Sequence, residues 1–212
     1  MFRITLLFMM MLFASPALTA QTPNDICTTG LTTKEIIHDG ETRQYDLFIP
    51  ESATLPAPLV MSFHGFGGTP SIQRDIDGWV ELADEEGFLV VYPRGTGFPL
   101  RWNTGNEGFR FSIADDVGFI EMALDALSNC YTEVYGSGFS NGGGMVNRLA
   151  CEMADRFVGI GSVAGAYGEL RDGCNPVEPV PIIAFHGKTD DVVPYAGVDD
   201  GFFTLPPVEM WL

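Results

Sequence analysis

Positive charge is scarce in this sequence. Lys and Arg number 11 against 28 Asp and Glu, a net charge of −17 over 212 residues. Such a surface repels polyanions, which excludes nucleic acid and anionic membrane as partners. Long apolar runs are missing too: the compact run Ile4 to Phe13 is too short to span a bilayer. No two of the four cysteines, Cys27, Cys130, Cys151 and Cys174, stand close enough for a metal knuckle. No metal or cofactor is expected. No internal repeat or interdomain linker appears, so one domain is the expectation. Histidine is rare: the supply is His38, His64 and His186, and Asp191 to Leu212 holds none.

What is present begins with an export signal. Met1-Phe2-Arg3 is a short basic start, Ile4 to Phe13 the apolar stretch, and Ser15 to Ala20 a run of mostly small residues. Residues 1–20 read as a signal peptide cut after Ala20, with Ala17 as second choice. The mature chain, 21–212, is then extracellular or periplasmic. In an oxidising compartment four cysteines suit two disulfides, and all three pairings stay open. An apolar content of 46% suffices for one sizeable core.

Apolar runs alternate with helical periods. Arg43 to Pro50 alternates like an early strand, and Leu59 to Phe63, Phe88 to Tyr92 and Pro181 to Phe185 are apolar throughout. Trp79 to Glu86 is helical and ends at Gly87. Ile113 to Ser128 is amphipathic, with Asp115 or Asp116 placed to cap it. Glu133 to Ser137 is a short strand, Met145 to Glu152 carries a helical period, and Phe157 to Val163 follows. Fully apolar strands between helices predict an α/β fold: a mostly parallel sheet with helices on both faces. Sites of such sheets lie at the carboxyl ends of the strands.

Three motifs fall at those ends. Gly138-Phe139-Ser140-Asn141-Gly142 sits between a strand and a helix, where a sharp turn exposes a serine Oγ. His64-Gly65-Phe66-Gly67-Gly68-Thr69 follows an apolar strand, and His186-Gly187-Lys188-Thr189-Asp190-Asp191 follows another. A serine hydroxyl needs a base to take its proton, and the base needs a carboxylate. Ser140 is the candidate nucleophile and Asp190 the acid, with Asp191 as fallback. The backbone N–H groups of Phe66 and Asn141 are the candidate oxyanion donors. His64 is expected to fix its loop through its ring, and His186 to pack and shape its own. The loop 94–112 holds Phe98, Trp102, Phe109 and Phe111, which either line a pocket or pin the loop to the body. Trp102, Phe109 and Tyr195 are the candidate substrate-lining residues.

No histidine follows Asp190, so the base expected in the order Ser, Asp, His is not in the sequence. A non-catalytic ligand-binding protein that keeps the pocket is therefore the alternative to an enzyme.

The three motifs recur in order with Val91-Tyr92-Pro93, Trp102-Asn103, Asp115-Asp116-Val117-Gly118-Phe119-Ile120, Arg148-Leu149-Ala150-Cys151-Glu152, Val163-Ala164-Gly165 and Val193-Pro194-Tyr195. Together they resemble the secreted polyhydroxybutyrate depolymerase and feruloyl esterase family of α/β-hydrolases, over about residues 40–210. The resemblance implies Ser140 as nucleophile, Asp190 as triad acid and Phe66 and Asn141 as oxyanion hole. It implies hydrolysis of polyester or of plant cell-wall feruloyl and acetyl esters through an acyl-enzyme. Family members continue with a further helix, a last strand and a loop carrying the catalytic histidine. The domain 21–212 thus reads as C-terminally incomplete, with a bare sheet edge and exposed apolar surface near Trp211.

Overall fold

The computed structural model describes residues 26–105, 114–168, 173–199 and 204–205. The expected signal peptide, the surroundings of Trp211, and Phe109 and Phe111 lie outside the described residues.

A hairpin opens the chain. β1 (Gly30–His38) and β2 (Glu41–Ile49) pair antiparallel across Asp39-Gly40, both at positive φ (51° and 77°). Asp-Gly suits such a two-residue turn, because it tolerates that backbone on both residues. β3 (Ala57–Phe63) and β4 (Leu89–Pro93) pair parallel, joined through α1 (Pro70–Asp77) and α2 (Trp79–Glu86). Thr69 caps α1 by accepting the Ile72 N–H (3.2 Å), and Gly78 and Gly87 end α1 and α2 in the left-handed region. α3 (Asp116–Ala126) leads to β5 (Tyr131–Phe139), α4 (Asn141–Glu152), β6 (Phe157–Val163) and β7 (Ile182–Phe185). A small hairpin, β8 (Val198–Asp199) with β9 (Thr204–Leu205), forms its own sheet.

The large sheet runs β1-β2-β4-β3-β5-β6-β7. β2 is antiparallel to both neighbours, and β4, β3, β5, β6 and β7 are parallel. β4 shows why its run is apolar throughout. Leu89 and Val91 pack into the main core with Phe119, Ile120, Met145 and Leu149 of α3 and α4. Val90 and Tyr92 point the other way, into a second cluster with Ala83 and Trp79 of α2. A strand alternates its side chains between faces, so burial on both demands an unbroken apolar run.

Helices lie on both faces of the sheet, α2 on one and α3 and α4 on the other, as expected. Over β5–β7 only one face carries a helix among the described residues. On the other, Val158, Ile183 and Phe185 are exposed, and the strand face lines an open apolar groove of about 1010 Å³. The apolar strand Pro181–Phe185 is thus an edge strand, β7, covered on one side. None of Ser140, Phe66, Asn141 or Asp190 lines that groove, so it is not the pocket of the candidate site.

The cysteines pair Cys27–Cys130 and Cys151–Cys174. They span 103 and 23 residues. Loop-closure entropy then assigns about 5 kcal/mol to the first and about 3 kcal/mol to the second. Urea unfolding of the paired Cys→Ala variants should rank them in that order, and equal losses would show that the loop lengths do not govern.

Candidate active site

Ser140 leaves β5 and starts α4 at φ 54°, ψ −118°. A non-glycine residue at positive φ is strained by about 1–3 kcal/mol and persists only when its surroundings hold it. Here the Ser140 N–H donates to the Val163 carbonyl (2.9 Å), and the Ser140 carbonyl accepts from Gly144 (3.1 Å) and Ala166 (3.0 Å). The flanking glycines are required by contact. A Cβ on Gly138 would strike the Gly142 carbonyl, and one on Gly142 would strike the carbonyls of Phe63 and His64.

The loop after β3 lies against this turn: a Cβ on Gly65 would sit 3.4 Å from the Ser140 Cβ. Among the described residues neither the Phe66 nor the Asn141 N–H has a backbone acceptor. The Phe66 ring is half exposed, while Asn141 is buried.

His64 is buried and fully engaged. Its Nδ1–H donates to the Gly65 carbonyl (2.8 Å), and its Nε2 accepts the Gly95 N–H (3.1 Å). Burial lowers its pKa, which favours the neutral ring this bonding needs. His64 therefore fixes the loop.

Trp102 differs from expectation. The sequence allows it on a pocket wall; the structure puts it in the core, 3% exposed, edge-on to Phe63 with ring centroids 5.3 Å apart. Its indole N–H and backbone are satisfied internally by His64 and Asn141. Phe98 is 98% exposed and pins nothing. Tyr195 stands edge-on to His186, ring centroids 6.0 Å apart.

Asp190 lies on the loop after β7, with β6 between that strand and the β5 that leads to Ser140. Its Oδ1 accepts the Val192 and Val193 N–H groups at 2.8 Å each. Those two bonds hold the carboxyl below the usual range, and His186, 3.6 Å away, adds to the effect. Asp190 is thus ionised and oriented. His186 Nε2–H donates to the Val193 carbonyl (2.7 Å), which matches its expected role in shaping the loop. His38 is bonded to Asp115 (3.0 Å) at the far end of β1. Ser140 receives no hydrogen bond from any of the three histidines.

Sequence reading missed the support beneath the site. Asp115 caps α3 through the Gly118 N–H (3.0 Å), whereas Asp116 is fully buried. Asp116 Oδ1 accepts from Arg43 (2.6 Å) and its Oδ2 from the Asn103 N–H (2.7 Å). Burial pushes its carboxyl above the usual range, and the Asn103 N–H and Arg43 oppose that. The only signal was the pair Asp115-Asp116 itself, which does not say which carboxylate faces inward.

A serine on a strained strand–helix turn, at the carboxyl end of a strand in a mostly parallel sheet, is the arrangement of an α/β-hydrolase. Comparison with known proteins agrees. The putative esterase NocK of Nocardia uniformis subsp. tsuyamanensis is 32% identical over 184 residues, covering 82% of this chain and 52% of NocK. Feruloyl esterase D of Neurospora crassa is 29% identical over 208 residues, 90% of this chain and 70% of that protein. The chain matches only 23% of the bifunctional acetylxylan esterase/xylanase XynS20E of Neocallimastix patriciarum, at 30% identity over 164 residues that make up 76% of this chain. It thus spans between about a quarter and a half of these first relatives, and 70% of the Neurospora enzyme. Among solved structures, the poly(3-hydroxybutyrate) depolymerase LpqC of Bordetella parapertussis shares the fold, with a TM-score of 0.62 and 16% identity over 85% of this chain and 73% of that one. No family model matches. The chain is thus similar in sequence to esterases, feruloyl esterases among them, and has the α/β-hydrolase fold.

Proposed function

We propose that the chain is the hydrolase body of a serine carboxylic ester hydrolase. Its substrates are polyesters of the polyhydroxybutyrate kind or feruloyl and acetyl esters of plant cell walls. The carrying observation is the strained Ser140 beside the Gly65 loop, with two amides lacking acceptors. Ser140 Oγ attacks the ester carbonyl, and the Phe66 and Asn141 N–H groups stabilise the tetrahedral oxyanion. Loss of the alcohol leaves an acyl-serine, and water releases the acid. Asp190, ionised and fixed by two N–H bonds, is the carboxylate for a proton-accepting base, a role that none of His38, His64 and His186 fills. Export follows removal of residues 1–20, and the two disulfides support an oxidising destination.

The engagement of all three histidines favours a second reading, a ligand-binding form without turnover. Lack of the base lowers turnover by about 10⁶-fold in a comparable triad. A fluorophosphonate probe separates the two. It is expected to label Ser140 slowly, faster when imidazole is added as a surrogate base, and not to label Ser140→Ala. A panel of p-nitrophenyl, feruloyl and polyhydroxybutyrate esters then ranks substrates. Binding of such esters with no labelling, even with imidazole, would decide for the second reading.

A further inference from the structure

The two amides proposed for the oxyanion hole come from different loops, and one residue is bonded to both. Trp102 Nε1–H donates to the His64 carbonyl (2.9 Å), in the segment that carries Phe66. The Trp102 backbone N–H donates to Asn141 Oδ1 (2.7 Å), and Asn141 Nδ2 donates back to the Trp102 carbonyl (3.3 Å). The indole also lies against the His64 ring, centroids 5.0 Å apart. That ring in turn holds Gly65 and Gly95, so the loops after β3, β4 and β5 meet at this point.

Trp102 is itself anchored. The next residue, Asn103, gives its N–H to the buried Asp116 of α3 (2.7 Å). Its carbonyl accepts from Arg148 of α4 (2.8 Å). Arg43 of β2 neutralises Asp116 from beneath (2.6 Å). The joint between the loops is therefore tied to two helices and a strand.

We propose that Trp102 is a positioning residue: it sets the distance between the Phe66 and Asn141 amides and so tunes stabilisation of the tetrahedral oxyanion. This rests on the reading of Ser140 as nucleophile. Oxyanion donors must reach about 2.7–3.1 Å from where the charge develops, and small misplacement is costly. A carbonyl in the trigonal ground state makes weaker demands on the same amides. Loss of the Nε1–H bond should therefore weaken binding of tetrahedral adducts and leave trigonal ligands nearly untouched. A residue that only filled the core would affect both alike.

Phenylboronic acid is a suitable probe. Ser140 Oγ bonds to boron, the hydroxyl proton leaves to solvent, and boron becomes a tetrahedral anion with an oxygen directed to the hole. Acetophenone is the trigonal comparison. Calorimetric titration of folded Trp102→Phe should show boronate affinity reduced at least tenfold and acetophenone affinity within twofold. Unchanged boronate affinity, or equal weakening of both ligands, overturns the proposal. Should Trp102→Phe fail to fold, Asn141→Ser opens the same joint from its other end and is judged identically. Wild-type protein that takes boronate no better than Ser140→Ala, even with imidazole added, overturns the nucleophile assignment itself, a different failure.

Discussion

Alanine at position 116 is expected to remove about 3–5 kcal/mol of folding stability, much of the margin of a domain this size. Asp116 has no exposure, and its partner Arg43 is buried beside it. The guanidinium lies 4.1 Å from the Phe119 ring centroid and reaches the Arg94 carbonyl at 3.4 Å, both too little to neutralise it. Without the carboxylate the chain carries an unpaired buried cation and an orphaned Asn103 N–H. The paired change Arg43→Met with Asp116→Leu should recover most of the loss, because well-packed apolar groups often replace a buried ion pair without penalty. The Asn103 N–H would still lack its acceptor, a shortfall of about 1–3 kcal/mol. Urea unfolding of the three variants tests this. A loss below about 1 kcal/mol for Asp116→Ala would mean that the pair is solvated, against its burial.

Gly142→Ala should be a strongly damaging single-methyl change beside Ser140. On helix propensity alone, alanine at this position of α4 would gain about 1 kcal/mol. Contact decides otherwise. The new Cβ would meet the backbone carbonyls of Phe63 and His64, neither of which can swing aside like a side-chain tip. The turn and the end of β3 must separate, and with them Ser140 and the Phe66 amide. Overpacking of this kind typically destabilises by about 1–3 kcal/mol, and a displacement near 1 Å lowers reaction rates about 100-fold. Fluorophosphonate labelling should fall by that factor. Gly159→Ala is the control: its Cβ would find the Tyr135 ring at an ordinary 3.6 Å, so labelling should stay within about twofold. Comparable labelling by both variants would refute the contact argument.

Legibility in the sequence followed the range of the interactions. The helix Trp79–Glu86 and its Gly87 stop are local matters, and both stand where the residues put them. β3 and β4 announced themselves because burial on both faces leaves no polar position to blur the run. β1 did not, since neither of its faces is fully buried and both mix polar with apolar residues, and α1 did not, since most of its residues are polar. Long-range pairings were invisible. Asp116 and Arg43 lie 73 residues apart, so nothing nearby distinguishes Asp116 from the capping Asp115. Trp102 in a Gly-rich loop reads the same on a wall or in the core. Its place is fixed by His64 and Asn141, 38 and 39 residues away. The apolar run Pro181–Phe185 likewise read as a strand covered on both faces, because composition does not reveal whether a helix covers each face.

The Cys151–Cys174 bond ties the end of α4, the helix that begins at Ser140, to the segment leading into β7 and Asp190. The spacing of hydroxyl and carboxylate is thus fixed in part by a covalent strut. A thiol reductant that opens this bond would release that tie, though no sulfur takes part in the proposed chemistry.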